Sequence, residues 1–423
     1  MTASTPEAKL DMLQNFIDIA AEPLGELPQL VEAKALSERA SDRLRFPRQF
    51  TTVALTGTTG SGKSSMFNAF TTIDRSPAGI LRPTTSEPYA CVWGTLTQAD
   101  ELLDWLGVSS RRRFTRESAL DANDEVGLRG MILLDLPDVD SIEPRHRVEV
   151  DRLLHLVDVV VWICDPQKYA DQLMEGGYLR QLASHRARLI VALNQTDKLL
   201  PAHLPKVGAD LRQLLDEAGL QNVPLVATSA TGEVPEMPAT KRGPIKPKPG
   251  PFSAEKSTKG YKGVAHLRAI LEPVIASGTA SADTVNHDVN SALELVSTLV
   301  SRPAGTPPAA GKLVDALVRK DIDQGVRDYA AAASSGLPEA WQDAVLRTAQ
   351  SRLTDLPGAL NQAAERAEAS RPRRVWIPGG RKRADARAET LLQQEIDKVA
   401  LRYVIEPVRR TLATYERARI ALS

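Results

Sequence analysis

A glycine-rich loop between a β-branched run and a helical stretch constrains this chain more than any other feature. Residues 57–64 read GTTGSGKS, the pattern G-x-x-x-x-G-K-S/T, and they follow a run at 51–56 that is typical of a buried strand. Glycines let the backbone curl until successive N–H groups point at phosphate oxygens, and the next helix adds its positive end. Lys63 would reach the β- and γ-phosphates, and the Ser64 hydroxyl would bind Mg²⁺. The loop therefore predicts a nucleotide-like ligand.

Composition describes an ordinary globular chain with no overall charge. The 423 residues are 42% hydrophobic and 25% charged, which indicates a sizeable core and two or three domains. Lys plus Arg and Asp plus Glu each number 53, so the net charge is zero and no overall field attracts an anionic partner. Any basic surface must therefore be local.

The sequence predicts a cytoplasmic protein without a transmembrane segment. Cys91 and Cys164 lie in apolar runs and are expected to be buried, reduced thiols. No basic region followed by an apolar core is visible near the amino terminus. The longest apolar run, at 157–164, contains Asp158 and is too short to span a bilayer.

Short apolar runs alternate with helical stretches between residues 51 and 275. The predicted strands are 51–56, 89–93, 131–135, 157–164, 188–194 and 223–228. This alternation is typical of an α/β domain with a mostly parallel sheet and helices on both faces. We expect three regions: N-terminal helices at 1–49, the α/β domain at 50–277 with a flexible Lys/Pro-rich loop at about 236–262, and a C-terminal helical domain at 278–423.

The flanking regions have helical periodicity. Apolar residues recur at three-four spacing in 6–46, where Pro23, Gly25 and Pro28 are expected to divide the helix. The same spacing recurs after residue 281, and Pro357 with Gly358 predicts a kink or break there. These flanks would form an antiparallel bundle or a long stalk.

Polar residues follow several of the predicted strands, where ligands of parallel sheets bind. Asp135 ends a buried strand and suits the coordination sphere of a nucleotide-bound Mg²⁺. Thr84 and Thr85 follow Arg82 and Pro83; a threonine hydroxyl and an N–H there would bind Mg²⁺ and the γ-phosphate, although a plain turn explains the segment equally well.

The segments that follow the strands at 188–194 and 223–228 bear on the choice of base. The first reads NQTDK from Asn194, and the Asp197 carboxylate can accept from both N1–H and the exocyclic amine of guanine. Adenine does not offer that pair of donors on the same edge. After the later strand, Ser229 and Ala230 would offer a backbone N–H to the guanine oxygen.

In this order, residues 57–64, Thr84 with Thr85, residues 135–138, residues 194–197 and Ser229 with Ala230 make the chain resemble a G-domain GTPase. The run GKSSMFNAF resembles the TrmE/Era/septin-like branch, which includes dynamin-related relatives. The segments DLPDVDS, DPQKYAD and LNQTD resemble an actinobacterial group of Era-related predicted GTPases. The resemblance covers about residues 50–235 and implies a P-loop G domain.

The resemblance implies GTP or GDP and Mg²⁺ as cofactors. It assigns phosphate binding to Gly57, Thr58, Thr59, Gly60, Ser61, Gly62, Lys63, Ser64 and Ser65. It assigns Mg²⁺ to Ser64 and Thr85, with Asp135 in the outer coordination sphere. It assigns guanine to Asn194, Asp197 and Ala230, with Gln195 and Ser229 beside them.

Four residues depart from the family pattern. Asp138 replaces the glycine of D-x-x-G, and its carboxylate is expected to repel the γ-phosphate unless it points away. Val139 stands where many GTPases have a water-orienting glutamine, which implies slow hydrolysis. Gln195 replaces the commoner lysine, and Gly60 stands where potassium-dependent relatives have asparagine. The candidate catalytic residues are Lys63, Thr85 and Asp138, and whether Asp138 hinders or assists hydrolysis stays open.

Other polar stretches have a solvated surface as their simplest explanation. Asp165 and Pro166 favour the start of a helix, whereas Lys168 and Tyr169 would form a contact surface beside the switch. Residues 145–147 would either stabilise developing charge or form a solvated helix face.

Two basic stretches, 241–262 and 371–387, each carry seven Lys or Arg. The first is typical of a flexible linker, and the second, around Trp376, suits a weak contact with an anionic membrane or RNA as well as a solvated linker.

The sequence therefore predicts a slowly hydrolysing GTPase switch coupled to a helical domain. Three alternatives stay open: a dynamin-like GTPase peripheral at the membrane, which acts as a homo- or hetero-oligomer; an Era-like RNA- or ribosome-associated GTPase; and a nucleotide-binding module with negligible hydrolysis.

Overall fold

The computed structural model describes residues 5–72, 87–116, 126–140, 144–170, 188–232, 234, 263–370 and 380–423, with side chains for all of these except 144–147 and 380–384. The chain forms two compact units. We call Asp42–Val285 the sheet unit, and Met1–Ser41 together with Asn286–Ser423 the helical unit. The domain limits expected near residues 49 and 277 stay predictions.

The sheet unit is built on one seven-stranded sheet. Its strands are β1 (Thr51–Thr56), β2 (Tyr89–Val92), β3 (Arg113–Thr115), β4 (Met131–Asp135), β5 (Val159–Cys164), β6 (Leu189–Leu193) and β7 (Leu225–Ala227). Their order is β3-β2-β4-β1-β5-β6-β7, which places β1 at the centre. Neighbouring strands are parallel except β2 and β4, which are antiparallel. The predicted α/β class with a mostly parallel sheet is confirmed.

Helices cover both faces of the sheet. They are α3 (Lys63–Thr71), α4 (Leu96–Trp105), α5 (Pro144–Leu156), α6 (Leu204–Glu217) and α7 (Ala265–Ser277). Before β1 the chain forms α1 (Pro6–Leu24) and α2 (Pro28–Leu44), and of these two helices the sheet unit contains the end of α2. One core joins α4, α5 and α6 to side chains such as Trp162. A second core joins α3 and α7 to the alternate strand residues, such as Val161. Strands covered on both faces read as continuous apolar runs, which is why the sequence shows them clearly.

A buried ion pair joins α2 to the amino ends of β1 and β5. Arg43 Nη2 donates to Asp158 Oδ2 over 2.9 Å, and both side chains are at most 1% exposed. The same Asp158 oxygen accepts from the Thr52 backbone and hydroxyl at 2.9 Å each, and Oδ1 accepts from the Thr284 hydroxyl at 3.1 Å. These bonds satisfy a carboxylate that burial would otherwise penalise.

The helical unit contains α1, most of α2 and the C-terminal helices. The latter are α8 (Ala280–Ser297), α9 (Gly311–Val318), α10 (Ile322–Ala333), α11 (Glu339–Gln350), α12 (Leu356–Ala369), α13 (Gly380–Ala400) and α14 (Glu406–Ala421). The helix α1 packs against α11 and α14, and Trp341 meets Tyr415 edge-on with ring centroids 5.2 Å apart. The predicted helical flanks are confirmed.

Proline and glycine set the helix limits much as the sequence suggests. The helix α1 ends after Pro23 at Gly25, whose φ is 61°, and α2 begins at Pro28. Further along, the break falls before Leu356, because Pro357 lies in the first turn of α12, where its missing N–H costs nothing.

The two cysteines lie where the sequence predicts buried, reduced thiols. Cys91 and Cys164 are buried and neither forms a disulfide, and burial raises the pKa of the Cys164 thiol to about 12. Among the described helices, none has the length and apolar character that crossing a bilayer requires.

Candidate nucleotide-binding site

The polar segments that follow β1, β4, β5, β6 and β7 lie at one edge of the sheet. These five strands are mutually parallel, so their carboxyl ends share that edge. Ligands of open α/β sheets bind there, where loops rather than strands supply the contacts.

Two glycines of the loop that follows β1 have no room for a side chain. A Cβ on Gly57 would lie 2.4 Å from the Ile163 carbonyl oxygen, and one on Gly62 would lie 2.4 Å from Asn194 Nδ2. Both residues also have positive φ, at 147° and 92°. The loop is therefore pressed against β5 and the segment that follows β6.

The loop presents the donor set that a phosphate group requires. The Thr58 and Ser61 hydroxyls are buried and have no hydrogen-bond partner in the part of the chain that the structure describes. Lys63 is 4% exposed, and its Nζ donates to the carbonyls of Gly57 at 2.9 Å and Thr58 at 3.0 Å. A phosphate oxygen would satisfy such buried donors, so the residues present fit a phosphate ligand.

The segment that follows β4, residues 136–140, docks onto this loop. Leu136 N donates to Leu55 O over 3.2 Å, and the Val139 side chain is fully buried in the core. The Asp138 carboxylate accepts a short hydrogen bond from Lys63 Nζ. Asp138 was expected to repel the γ-phosphate or to point away from it; its carboxylate instead forms an ion pair with the lysine of the loop.

Asp140 makes a second contact between this segment and the loop. Its Oδ1 accepts from the Thr59 backbone N–H at 2.8 Å and from the Thr59 hydroxyl at 2.7 Å. Asp140 was not among the site residues predicted from the sequence. The available signal was a second carboxylate in the segment that follows β4.

The expected metal ligands are described in part. Asp135 is fully buried at the end of β4, and Ser64 is half-buried in the first turn of α3, beside Ser65. Thr85 lies outside the described residues. Among the residues that are described, no three His, Cys, Asp or Glu side chains cluster as a metal site. The side chains of Ser64 and Asp135 fit Mg²⁺, which takes one or two protein oxygens beside phosphate oxygens.

The segment that follows β6 is bonded directly to the phosphate loop. Asn194 Nδ2 donates to Ser61 O over 3.0 Å, and Gln195 Nε2 donates to Gly60 O over 2.8 Å. Gln195 adopts a left-handed conformation with φ of 58°, and its Oε1 accepts from Lys198 Nζ at 2.6 Å. The backbone turn and the side-chain bonds together fix where this segment stands.

The segment that follows β7 is hydrogen-bonded to Asp197. The Ser229 hydroxyl donates to Asp197 Oδ1 over 2.6 Å and accepts from Gly232 N over 2.8 Å. Ala230 follows at once and is half-buried. The structure therefore brings Asn194, Gln195, Asp197, Ser229 and Ala230 together, with Asn194 and Gln195 bonded to residues 60–61 of the phosphate loop.

The remaining polar stretches carry less. Asp165 Oδ1 accepts from Gln167 N over 2.8 Å, which is the local capping role expected from its sequence. The Tyr169 hydroxyl donates to the Asp210 carboxylate, and burial together with that bond raises the pKa of Tyr169 to about 12. The side chains of 145–147 and 380–384 lie outside what the structure describes, as do the stretch 241–262 and residues 371–379.

Comparisons with known proteins give remote similarities. No protein-family model matches the chain, and no curated protein matches it. A solved structure of an oligomerised bacterial dynamin pair is 13% identical, with 100% of this chain and 80% of that chain covered and a TM-score of 0.34. A dimerization-deficient mutant of Toc33 from Arabidopsis thaliana is 10% identical, with 59% and 93% covered and a TM-score of 0.34.

A third similar structure is the FeoB G-domain from Methanococcus jannaschii. It is 17% identical, with 53% of this chain and 97% of that chain covered and a TM-score of 0.27. Two of these three structures are described as a dynamin pair and a G-domain. Similarity at this level does not place the present chain in a family.

Proposed function

We propose that the chain is a guanine-nucleotide switch that hydrolyses GTP slowly. One observation carries this proposal: Asn194 and Gln195 bond to carbonyls of the phosphate loop, and Asp197 follows them on the same segment. A carboxylate suited to the N1–H and amine of guanine thus stands at a fixed distance from donors suited to phosphate. The two halves of a guanine nucleotide would meet these two groups of residues.

Each part of the site has a separate task in this proposal. The loop from Gly57 to Ser65 would hold the phosphates, with Lys63 on the β- and γ-phosphates. Ser64 and Asp135, with Thr85 by family resemblance, would hold Mg²⁺, which neutralises charge on the phosphate oxygens. The Ser229 hydroxyl would keep the Asp197 carboxylate turned towards the base.

Slow hydrolysis follows from Val139. Its side chain is apolar and fully buried in the core, so at this position nothing orients an attacking water. The alternative of a module that binds nucleotide with negligible hydrolysis is favoured by the same residue and by the ion pair between Lys63 and Asp138. Single-turnover rates with bound GTP separate the two.

Coupling to the helical unit is proposed through chain continuity. The helices α2 and α8 each begin in one unit and end in the other. Their sheet-unit ends contribute Arg43 and Thr284, which both bond to Asp158 under β1 and β5. A change along β1 therefore has a bonded route to both helices.

The proposal is tested by the substitution Asp197→Asn. Xanthine carries a carbonyl where guanine carries the exocyclic amine, so an amide at this position should prefer xanthosine triphosphate. We expect GTP affinity to fall by about a hundredfold or more, because a site built around polar groups rejects a mismatched base strongly. Titration calorimetry with both nucleotides measures the change.

A matched control is Asp216→Asn, the same chemical change on an exposed part of α6, where the carboxylate lies 3.9 Å from Arg212. The control should bind GTP as the parent does. If the Asp197 variant also keeps the parent's preference for GTP, Asp197 does not bind the base and the guanine assignment is wrong.

A further inference from the structure

Two carboxylates of one segment lie on donors of the phosphate loop. Asp138 accepts from Lys63 Nζ, and Asp140 accepts from the Thr59 backbone N–H and hydroxyl. An ammonium, a backbone N–H and a hydroxyl of this loop are the groups that would meet phosphate oxygens. The carboxylate oxygens therefore use donors that a polyphosphate would also use.

Buried side chains and backbone hydrogen bonds hold the segment that carries these carboxylates. Leu136 and Val139 are both fully buried in the core under the sheet edge. Leu136 N donates to Leu55 O over 3.2 Å, and Val139 N donates to Gly57 O over 3.4 Å. The buried Leu136 and Val139 hold the segment in place, and Asp138 and Asp140 contact the loop.

The contact with Lys63 is shielded from water. The Lys63 side chain is 4% exposed and that of Asp138 is 18% exposed, so solvent screens this pair less than a surface pair. Hydrogen bonds between charged groups are about twice as strong as neutral ones. A phosphate that binds Lys63 must therefore replace a strong partner as well as lose water.

We propose that Asp138 and Asp140 act as an internal anion that competes with the nucleotide's polyphosphate for the phosphate loop. The inference rests on the proposed function and extends it to a residue pair that sets affinity. Two negative charges cannot remain against a bound polyphosphate, because like charges at hydrogen-bonding distance repel. Phosphate binding thus displaces both carboxylates from the loop.

Displacement would give the site its response to ligand. Residues 136–140 connect β4 to the stretch that leads into α5, so release of Asp138 and Asp140 frees one end of that connection. The segment is then in equilibrium between a position on the loop and a displaced position, and this equilibrium also sets the affinity of the loop for phosphate. A ligand can shift it only by the difference in its binding to the two arrangements.

The test uses Asp138→Asn, Asp140→Asn and the double variant in the full chain. Asparagine keeps the shape of each side chain and removes its charge. Affinities for GDP, a non-hydrolysable GTP analogue and inorganic pyrophosphate are measured by calorimetry without divalent cations, so that no carboxylate acts through a metal. Each single variant should bind all three probes about tenfold more tightly than the parent, since a charged hydrogen bond no longer has to be broken.

Asp165→Asn is the matched control. It removes one negative charge at the same sheet edge, after β5, but its carboxylate bonds to Gln167 N rather than to the phosphate loop. This control should leave the three affinities within about twofold of the parent, because charge loss alone is weak at exposed sites in salt. Circular dichroism and urea unfolding verify that every variant is folded.

The outcomes separate the two proposals. Equal or weaker pyrophosphate binding by both single variants overturns the internal anion, because the carboxylates then do not compete with phosphate. An equal gain in the Asp165 control overturns it as well, because the effect would be general charge. If the variants gain pyrophosphate affinity while neither they nor the parent bind guanine nucleotides, the inference stands and the proposed function fails.

Discussion

Gln195 shows how one residue can depart from a family pattern and still do related work. The sequence showed only that glutamine replaces the commoner lysine. In the structure its amide donates to Gly60 O, and its own oxygen accepts from Lys198. A positive charge is therefore still tied to the phosphate loop, through one intervening amide. That arrangement depends on the left-handed turn at Gln195, which local sequence does not specify.

The loop glycines give a prediction at this scale. Gly62→Ala should lower the free energy of unfolding by about 1–3 kcal/mol, because it combines a left-handed φ with a Cβ placed 2.4 Å from Asn194 Nδ2. Guanine nucleotide binding should weaken at the same time, since Asn194 must move. Urea unfolding and calorimetry measure the two effects.

Gly208→Ala is the matched control, since Gly208 lies inside α6 and an added Cβ would meet no atom within 4 Å. Alanine is the better helix former, so this variant should gain about 0.5–1 kcal/mol. A loss of stability at Gly208, or none at Gly62, would contradict the assigned backbone roles.

The elements differ in how well sequence predicts them. Strands β1, β4, β5 and β6 are covered on both faces, and their apolar runs predicted them to within about two residues. The strand β3 was missed, because the residues Arg-Phe-Thr carry no apolar run and the strand exists through pairing with β2. Phe114 stacks on Tyr89 with ring centroids 6.0 Å apart, a long-range contact that periodicity cannot show.

The residues of the candidate site also differ in how well the sequence predicts them. The positions of the loop, Asp135, Asn194 and Asp197 at strand ends could be predicted, because a parallel sheet gathers such ends at one edge. The partners of Asp138 and Asp140 could not be predicted. They depend on Leu136 and Val139 entering the core, and therefore on how the segment leaves β4.

The ion pair beneath β1 and β5 gives a prediction at the scale of elements. Asp158→Asn should cost about 3–5 kcal/mol, because it leaves the Arg43 guanidinium buried without its counter-charge. Arg43→Met combined with Asp158→Asn should cost less than the single change, since no charge then remains buried. Thermal and urea unfolding measure both.

The control is Arg327→Met, which breaks an exposed pair with Asp323 whose side chains are 54% and 51% exposed. This change should cost less than about 1 kcal/mol. A cost at Asp158 no larger than at Arg327 would mean that the buried pair does not hold α2 to the sheet.

At the scale of the whole molecule, the chain has two units and the candidate site lies in one of them. The site residues belong to Asp42–Val285, while Met1–Ser41 and Asn286–Ser423 form the other unit. A ligand stabilises what it binds, so GDP at a hundred times its dissociation constant should add about 2.7 kcal/mol to the sheet unit.

Differential scanning calorimetry measures this effect. We expect GDP to raise one unfolding transition and leave another in place. Adenosine diphosphate at the same concentration is the control and should raise neither. A single transition that moves as a whole would show instead that the shared helices α2 and α8 make the two units unfold together.

The two edge strands of the sheet have a consequence for contacts between copies of the chain. Both β3 and β7 are three residues long, so each leaves few backbone N–H and C=O groups for a strand from another molecule. In β3, Arg113 is also paired with Asp100 at 3.1 Å, which adds charge where an incoming strand would dock. Long, flat edge strands promote strand addition and aggregation, and short, charged edge strands resist both. Copies of this protein that associate through described residues would therefore do so by side-chain surfaces rather than by extending the sheet.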